Sequence, residues 1–114
     1  MHFQVINDDF FNQLGVLLKN LVPEFNSVFD AEDGIYPILS EFGRFIIDNS
    51  TDETLMHKSF NFINTAIDNG KDDTENVIVT EIFEQIYTDD NMMRIAERHL
   101  NAKALEIFKR KRQD

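Results

Sequence analysis

Apolar residues recur every three or four positions along most of this chain, which is the spacing of one face of an α-helix. The first such stretch predicts a helix from about Asp8 to Leu21, and Pro23 ends it. Asn7 or Asp8 suits its N-cap, because a short polar side chain accepts hydrogen bonds from the first-turn amides. A short helical piece is expected to follow over residues 24–29.

Three further helices are predicted, at about 37–48, 52–68 and 73–87. Residues 77–79 are all β-branched and favour a strand by propensity, but the apolar spacing continues beyond them at helical intervals. Asn69-Gly70 is typical of a left-handed helix stop. The middle of the chain is therefore also expected to be helical.

A fifth helix is predicted to carry apolar positions from Met93 to Phe108, ahead of the basic residues 109–112. Short connections between helices favour antiparallel neighbours, so residues 1–114 are expected to form one all-α domain with about 109–114 frayed. Both a compact bundle and a short helical-repeat-like array fit this pattern. Gly15 and Gly43 fall inside predicted helices, where each either marks a close helix–helix approach or is merely tolerated.

Charge is distributed unevenly along the chain. Residues 1–90 hold 18 Asp or Glu against 4 Lys or Arg, whereas residues 91–114 hold 3 against 7, and the formal net charge is −10. Such acidity repels phosphate and argues against a nucleic-acid partner. It accelerates the encounter with a basic protein, although simple solubility also explains it. The basic end either complements the dipole of its own helix, folds back on the acidic body or touches an anion.

Composition excludes several classes of protein. Hydrophobic residues make up 42% of the chain, with 11 Phe, which indicates a packed core and not a disordered chain. The absence of cysteine removes disulfides and thiolate metal sites. No apolar run approaches the roughly 20 residues of a membrane span, and the first residues lack the basic start of a signal peptide. We therefore expect a cytoplasmic protein with no membrane partner.

Motifs for catalysis or cofactor binding are missing from the sequence. Glu53 and His57 lie four residues apart, close to Asp52, and would supply half a metal site. The same spacing is typical of a helix-stabilising surface pair. The acidic turns at 30–34 and 68–73 lack carboxylates at the first and last positions of a calcium loop. We therefore expect no metal, no cofactor and no enzymatic activity.

Three stretches, Ile35–Ile47, Phe60–Ile63 and Val77–Glu84, carry a characteristic spacing of aromatic and aliphatic residues. This pattern, over about 35–87, resembles a family of small, uncharacterised bacterial helical proteins. The resemblance implies an all-helical fold and no assigned chemistry. In size and acidity the chain is also similar to the immunity proteins of bacterial toxin systems.

These observations favour a non-enzymatic acidic module that binds a basic protein, most sharply an immunity protein that neutralises a basic toxin such as a nuclease. A nuclease site is basic because it holds phosphate, so an acidic surface is able to occupy it. The alternatives are a structural or regulatory helical scaffold that self-associates, and a metal-dependent enzyme that uses Glu53 and His57. The residues expected to contact the partner are Phe29, Asp30, Glu32, Asp33, Asp72, Asp73, Glu75, Tyr87, Asp89 and Asp90.

Overall fold

The structure is a computed structural model that describes residues 8–113, and every regular element in that range is helical. There are six helices where the sequence predicted about five, and the all-α fold class is confirmed. They are α1 (Leu14–Leu21, preceded by a 3-10 turn at Asp9–Gln13), α2 (Ile35–Asp48), α3 (Glu53–Asn69), α4 (72–86), α5 (Asp90–His99) and α6 (Ala102–Arg112).

Helix α3 lies at the centre and packs against each of the other five helices. The largest fully buried side chains are Phe42, Phe60, Phe62, Phe83 and Phe108. The Cα radius of gyration is 13.7 Å, close to the value of about 13 Å expected for a compact chain of this length. The helices therefore form a compact globule and not an extended array.

Helix α4 contains a wider turn that the sequence did not predict. Its two α-helical parts, Asp72–Ile78 and Glu84–Ile86, flank a π-helical stretch at Val79–Phe83. At Gly43 of α2, an added Cβ would lie 2.9 Å from the carbonyl oxygen of Glu81 in this stretch. Gly43 therefore marks a close helix–helix approach, as one of the two interpretations of the sequence proposed, and the β-branched run is helical as predicted.

The short helix predicted over 24–29 is wrong. Instead, the Glu41 carboxylate of α2 accepts hydrogen bonds from the Ser27 hydroxyl at 2.5 Å and from the Val28 amide at 3.1 Å. The Phe25 ring also packs against two phenylalanine rings of α2, each at a centroid distance of 5.2 Å. A partner 13 to 14 residues away therefore holds this segment in an irregular path.

The single helix predicted from Met93 to Phe108 is also wrong, because the chain breaks at Leu100 and Asn101. Asn64 of α3 holds the break from both sides. Its Nδ2 donates to the His99 carbonyl oxygen and its Oδ1 accepts from the Asn101 amide, both at 3.0 Å. The Asn101 side chain then caps α6, so the break is specified by two asparagines.

The left-handed stop predicted at Gly70 is a third error. Gly70 has φ −89°, and Gly34 is the residue with positive φ among those described. A Cβ at Gly70 would overlap the Thr74 side chain, so the glycine is required for close packing in the turn between α3 and α4.

Asp8 fixes α1 against that turn. Its buried carboxylate, 3% exposed, accepts from the amides of Phe11 at 3.2 Å, Lys71 at 3.0 Å and Thr74 at 2.7 Å. It thus caps its own segment, as predicted, and also α4, whose N-cap residue Lys71 makes no side-chain cap. Burial acts to raise the pKa of Asp8, but the hydrogen bonds outweigh burial and hold the pKa below its ordinary value.

Candidate protein-binding surface

The exposed large apolar side chains of the described chain all lie in its first 36 residues. They are Val16 at 65% exposure, Val28 at 82%, Phe29 at 40% and Tyr36 at 38%. Val16 and Phe29 line the same groove, which has a volume of about 460 Å³ and lies between α1 and the segment 25–31. We call this feature the α1 groove.

Part of the lining of the α1 groove is apolar and continuous with the core. Leu18 of α1, Phe25 of the irregular segment and Ile38 of α2 contribute to its lining. Each of the three also belongs to the core or packs against it. The groove is therefore a depression at the edge of the hydrophobic core.

Gly15 leaves the backbone of α1 uncovered in this groove. Outside its chain neighbours and the backbone of its own helix, a Cβ added there would meet no described atom within 4 Å, so the described residues give no support to the close-approach interpretation of Gly15. A glycine inside a helix costs about 1 kcal/mol relative to alanine. Unlike Gly43, Gly15 has no packing contact among residues 8–113 that explains its identity.

An acidic turn borders the groove and is rigidly built. The Asp30 side chain accepts from the Glu32 amide at 3.0 Å, and the Asp33 side chain accepts from the Asp30 amide at 2.9 Å. Together they form a capping box around a 3-10 turn. Asp30 lines the groove, and within residues 8–113 no Lys or Arg lies within 4.0 Å of these three carboxylates.

A second acidic group begins α4. Asp72 and Asp73 are exposed in its first turn and carry no ion pair to any described residue. Asn76, one turn further along, donates from Nδ2 to the Tyr36 hydroxyl at 3.0 Å. Tyr36 stands two residues after the acidic turn, at the start of α2. The two acidic groups therefore flank one exposed aromatic side chain.

Of the predicted contact residues at 87–90, Tyr87 and Asp89 have structural partners. The Tyr87 hydroxyl donates to the Phe108 carbonyl oxygen at 2.6 Å, and the two rings pack at a centroid distance of 4.9 Å. Asp89 caps α5 through the Met92 amide, and Asp90 is exposed beside it. These residues follow the far end of α4, roughly 20 Å from its acidic start at 1.5 Å per residue.

The basic end of the chain folds back toward α4. Arg110 pairs with Glu75 at 3.5 Å and with Glu106 of its own helix at 3.4 Å. Of the acidic residues predicted to meet a partner, Glu75 is thus the one that pairs with a cation among residues 8–113. The fold-back interpretation of the basic residues is confirmed at this position.

The candidate metal pair, Glu53 and His57, is exposed and lies beside His99 and Phe60. Glu53 pairs with Arg98 at 3.5 Å, and His99 Nε2 lies 3.9 Å from the Glu53 carboxylate. The His99 ring stacks on Phe60 and meets the edge of His57 at a centroid distance of 5.0 Å. Burial, His57 and Arg98 lower the pKa of His99 against the attraction of Glu53.

These side chains offer little to a metal ion. Among residues 8–113 no group of three or more His, Asp or Glu is arranged to hold one. The expected absence of a metal site stays a prediction, and zinc addition tests it below. Likewise, none of the helices in the described range is long and apolar enough to cross a membrane.

Sequence reasoning named Phe29 and Asp30 as contact residues and singled out Gly15 only as a helical glycine, and it missed Val16, Val28 and Tyr36. A signal for Val16 was present, because it lies off the apolar stripe of α1 and has no core position to fill. The groove itself was not visible, because it depends on the irregular path of the segment 25–31.

Comparison with known protein families adds one finding. Residues 16–114 match the family described as a domain of unknown function, DUF7674. The chain belongs to this family. The match covers more of the chain than the 35–87 resemblance noted from the sequence, and it includes the α1 groove from Val16 onward and all the acidic turns. No curated protein and no solved structure matches the chain.

Proposed function

We propose that this DUF7674 protein is a non-enzymatic module that binds a basic protein partner. In its sharpest form, the partner is a basic toxin such as a nuclease, and this protein is its immunity protein. The observation that supports the proposal is the exposed apolar groove bordered by acidic side chains that have no cationic partner in the described chain.

Unpaired acids act on a partner before contact is made. Exposed charges extend their influence over a Debye length of about 10 Å at 0.1 M salt. Asp72, Asp73 and Glu32 are exposed and without an internal ion pair, so their field reaches solvent without local neutralisation. Such a field raises association rates with a basic protein by roughly 10- to 1,000-fold.

Apolar side chains are expected to contribute the binding affinity that electrostatic attraction does not. Interfaces gain most of their affinity from a few large, desolvated side chains, with aromatic residues enriched among them. Phe29 and Tyr36 are partly exposed aromatic residues, each next to acidic side chains. This combination of an apolar centre and a charged border is the usual anatomy of a specific protein interface.

The immunity form of the proposal adds one physical step. A nuclease must hold phosphate with cationic groups, so its active site attracts an acidic surface of fitting shape. The module then inhibits the toxin by occupying or covering that site, without any chemistry of its own. This form rests on charge, and therefore it needs a functional test separate from binding.

Co-expression with the adjacent reading frames provides that test. Each neighbouring frame is induced in a bacterial host, alone and together with this protein. Growth arrest that this protein relieves, together with a purified one-to-one complex, supports the immunity form. A complex without toxicity supports the binding module and refutes the immunity form. Toxicity that this protein does not relieve contradicts the pairing.

A charge-matched pair of variants tests the role of the acids in that complex. The near variant combines Glu32→Gln, Asp72→Asn and Asp73→Asn. The control variant combines three exposed acids outside the proposed surface, Glu84→Gln, Asp90→Asn and Glu97→Gln. Both sets lack internal ion pairs and remove the same charge.

Association rates are measured by surface plasmon resonance at low and high salt. The near variant is expected to slow association several-fold more than the control, and the difference should vanish at high salt. Equal rates for wild type and both variants at low salt would mean that the acidity serves solubility. Sedimentation of the free protein addresses the scaffold alternative, since a stable homodimer with a covered groove would favour self-association.

A further inference from the structure

We propose that the α1 groove receives a basic amphipathic helix of the partner, with Gly15 as the point of closest backbone approach. This inference rests on the proposed function in that the partner is a basic protein. It goes further by assigning the binding element, its secondary structure and its position on this protein.

The first argument for this proposal comes from the two glycines that lie inside helices, Gly43 and Gly15. Gly43 faces Gln85 and Glu81 of a neighbouring helix, so its missing side chain is explained by packing inside the molecule. Gly15 faces open space in an apolar groove, beside the 65%-exposed Val16. A helical glycine that no contact with a described residue explains is accounted for when another backbone approaches that position in the complex.

The shape of the groove favours a helix as the occupant. One wall is α1, whose eight residues span about 12 Å at 1.5 Å per residue, or two turns of a helix lying alongside. The groove volume of about 460 Å³ accommodates several apolar side chains but not a whole helix. A helix therefore rests on the rim and inserts apolar anchors spaced three or four residues apart.

Charge at the rim selects a basic helix. Asp30 of the segment 25–31 lines the groove, and Glu32 and Asp33 follow it in the same hydrogen-bonded turn. Lys19 is the one cation in the lining, and it stands on α1. The basic face of the bound helix is thus expected on the Asp30 side, where it meets unpaired carboxylates.

The probe is an 18-residue peptide of leucine and lysine with an amphipathic helical pattern, and its counterpart carries glutamate in place of lysine. Binding to the isotope-labelled full chain is followed by heteronuclear NMR. The lysine peptide is expected to shift the amide signals of Val16, Leu18, Phe29 and Ile38, whereas the glutamate peptide should not. Equal binding of both peptides would overturn the assignment of a basic partner.

Substitutions in α1 test whether the partner helix approaches this protein at Gly15. Gly15→Leu is expected to fold normally, because Gly15 is exposed and an added Cβ meets no described neighbour, and to weaken peptide binding at least tenfold by filling the groove. Asn20→Leu is the matched control, because Asn20 is exposed on the same helix but outside the groove lining. Gly15→Ala should raise the urea midpoint of unfolding and still weaken binding, so lost binding is not mistaken for lost folding.

The outcomes separate this inference from the proposed function. Unchanged peptide affinity in Gly15→Leu overturns the helix-in-groove assignment. If the Glu32, Asp72 and Asp73 variant then still loses affinity, binding of a basic protein stands and only the groove is wrong. If the free protein instead dimerises with shifts at Val16 and Phe29, the groove belongs to a second copy and the inference fails.

Discussion

Replacing Asp8 by asparagine tests whether one buried carboxylate joins α1 to the start of α4. The two carboxylate oxygens of Asp8 accept different hydrogen bonds. Oδ1 accepts from the Phe11 amide, and Oδ2 accepts from the amides of Lys71 and Thr74. Asparagine keeps one oxygen and presents an NH₂ group, itself a donor, to the other side. At least one amide therefore loses its acceptor.

The magnitude follows from these three bonds. A hydrogen bond to a charged acceptor contributes about 1.5–3 kcal/mol, against about 1 kcal/mol for a neutral one. Losing one bond and weakening two should therefore lower the free energy of unfolding by at least about 2.5 kcal/mol, taking the low end of these values. With an unfolding entropy of about 2.1 cal/mol/K per residue, a cost near 2.5 kcal/mol lowers Tm by about 10 °C.

Urea unfolding followed by circular dichroism measures this loss, and Asp9→Asn is the control. Asp9 is adjacent and exposed, and its replacement removes the same charge, so its cost should stay below about 0.5 kcal/mol. Equal midpoints for the two variants would refute the argument that Asp8 holds the two elements together.

The pH dependence gives an independent check. The pKa of Asp8 is lower in the folded state than its ordinary value of 3.8. The stability that the carboxylate contributes is therefore full above about pH 4 and is lost as pH falls through the folded-state pKa. Wild type and Asp8→Asn should converge in stability below pH 4, and a difference that persists in acid would contradict an ionised cap.

Three further predictions concern contacts that hold the fold outside the candidate protein-binding surface and the absence of a metal site. Asn64→Ala should lower the free energy of unfolding by about 2 kcal/mol, because the His99 carbonyl and the Asn101 amide lose their partner; an unchanged urea midpoint would contradict this. Gly43→Ala should destabilise by about 1–3 kcal/mol, since its Cβ would crowd the Glu81 carbonyl; a raised Tm would contradict the close approach. Excess zinc should leave Tm unchanged, and a rise that a chelator reverses would show a metal site.

Helical periodicity predicted most elements because it is a local property of the chain. Periodicity did not predict the break at Leu100 and Asn101, because Leu100 is only 7% exposed and the apolar face continues across the break. The break depends on Asn64, whose Oδ1 accepts from an amide 37 residues away. The helix predicted over 24–29 was wrong for the same reason, because hydrogen bonds to Glu41 of α2 override the helical pattern of this segment.

The sequence predicted the charges of the candidate surface and, of its exposed apolar side chains, Phe29. Asp30, Glu32 and Asp33 were recognisable as an exposed acidic turn because short acidic runs next to glycine seldom enter a core. Whether that turn meets apolar side chains is a question of tertiary path. Val16 and Phe29 line one groove only because the chain between α1 and α2 returns along α1.

The two components of the proposed surface should act on different rate constants. Carboxylates at Glu32, Asp72 and Asp73 act at a distance, so their removal is expected to slow association and to leave dissociation nearly unchanged. A side chain added at Gly15 acts only at contact, so it should speed dissociation with little effect on association. Measuring both constants for both variants separates steering from docking. If both variants changed association alone, the groove would have no part in holding the partner, and the acidic turns by themselves would constitute the site.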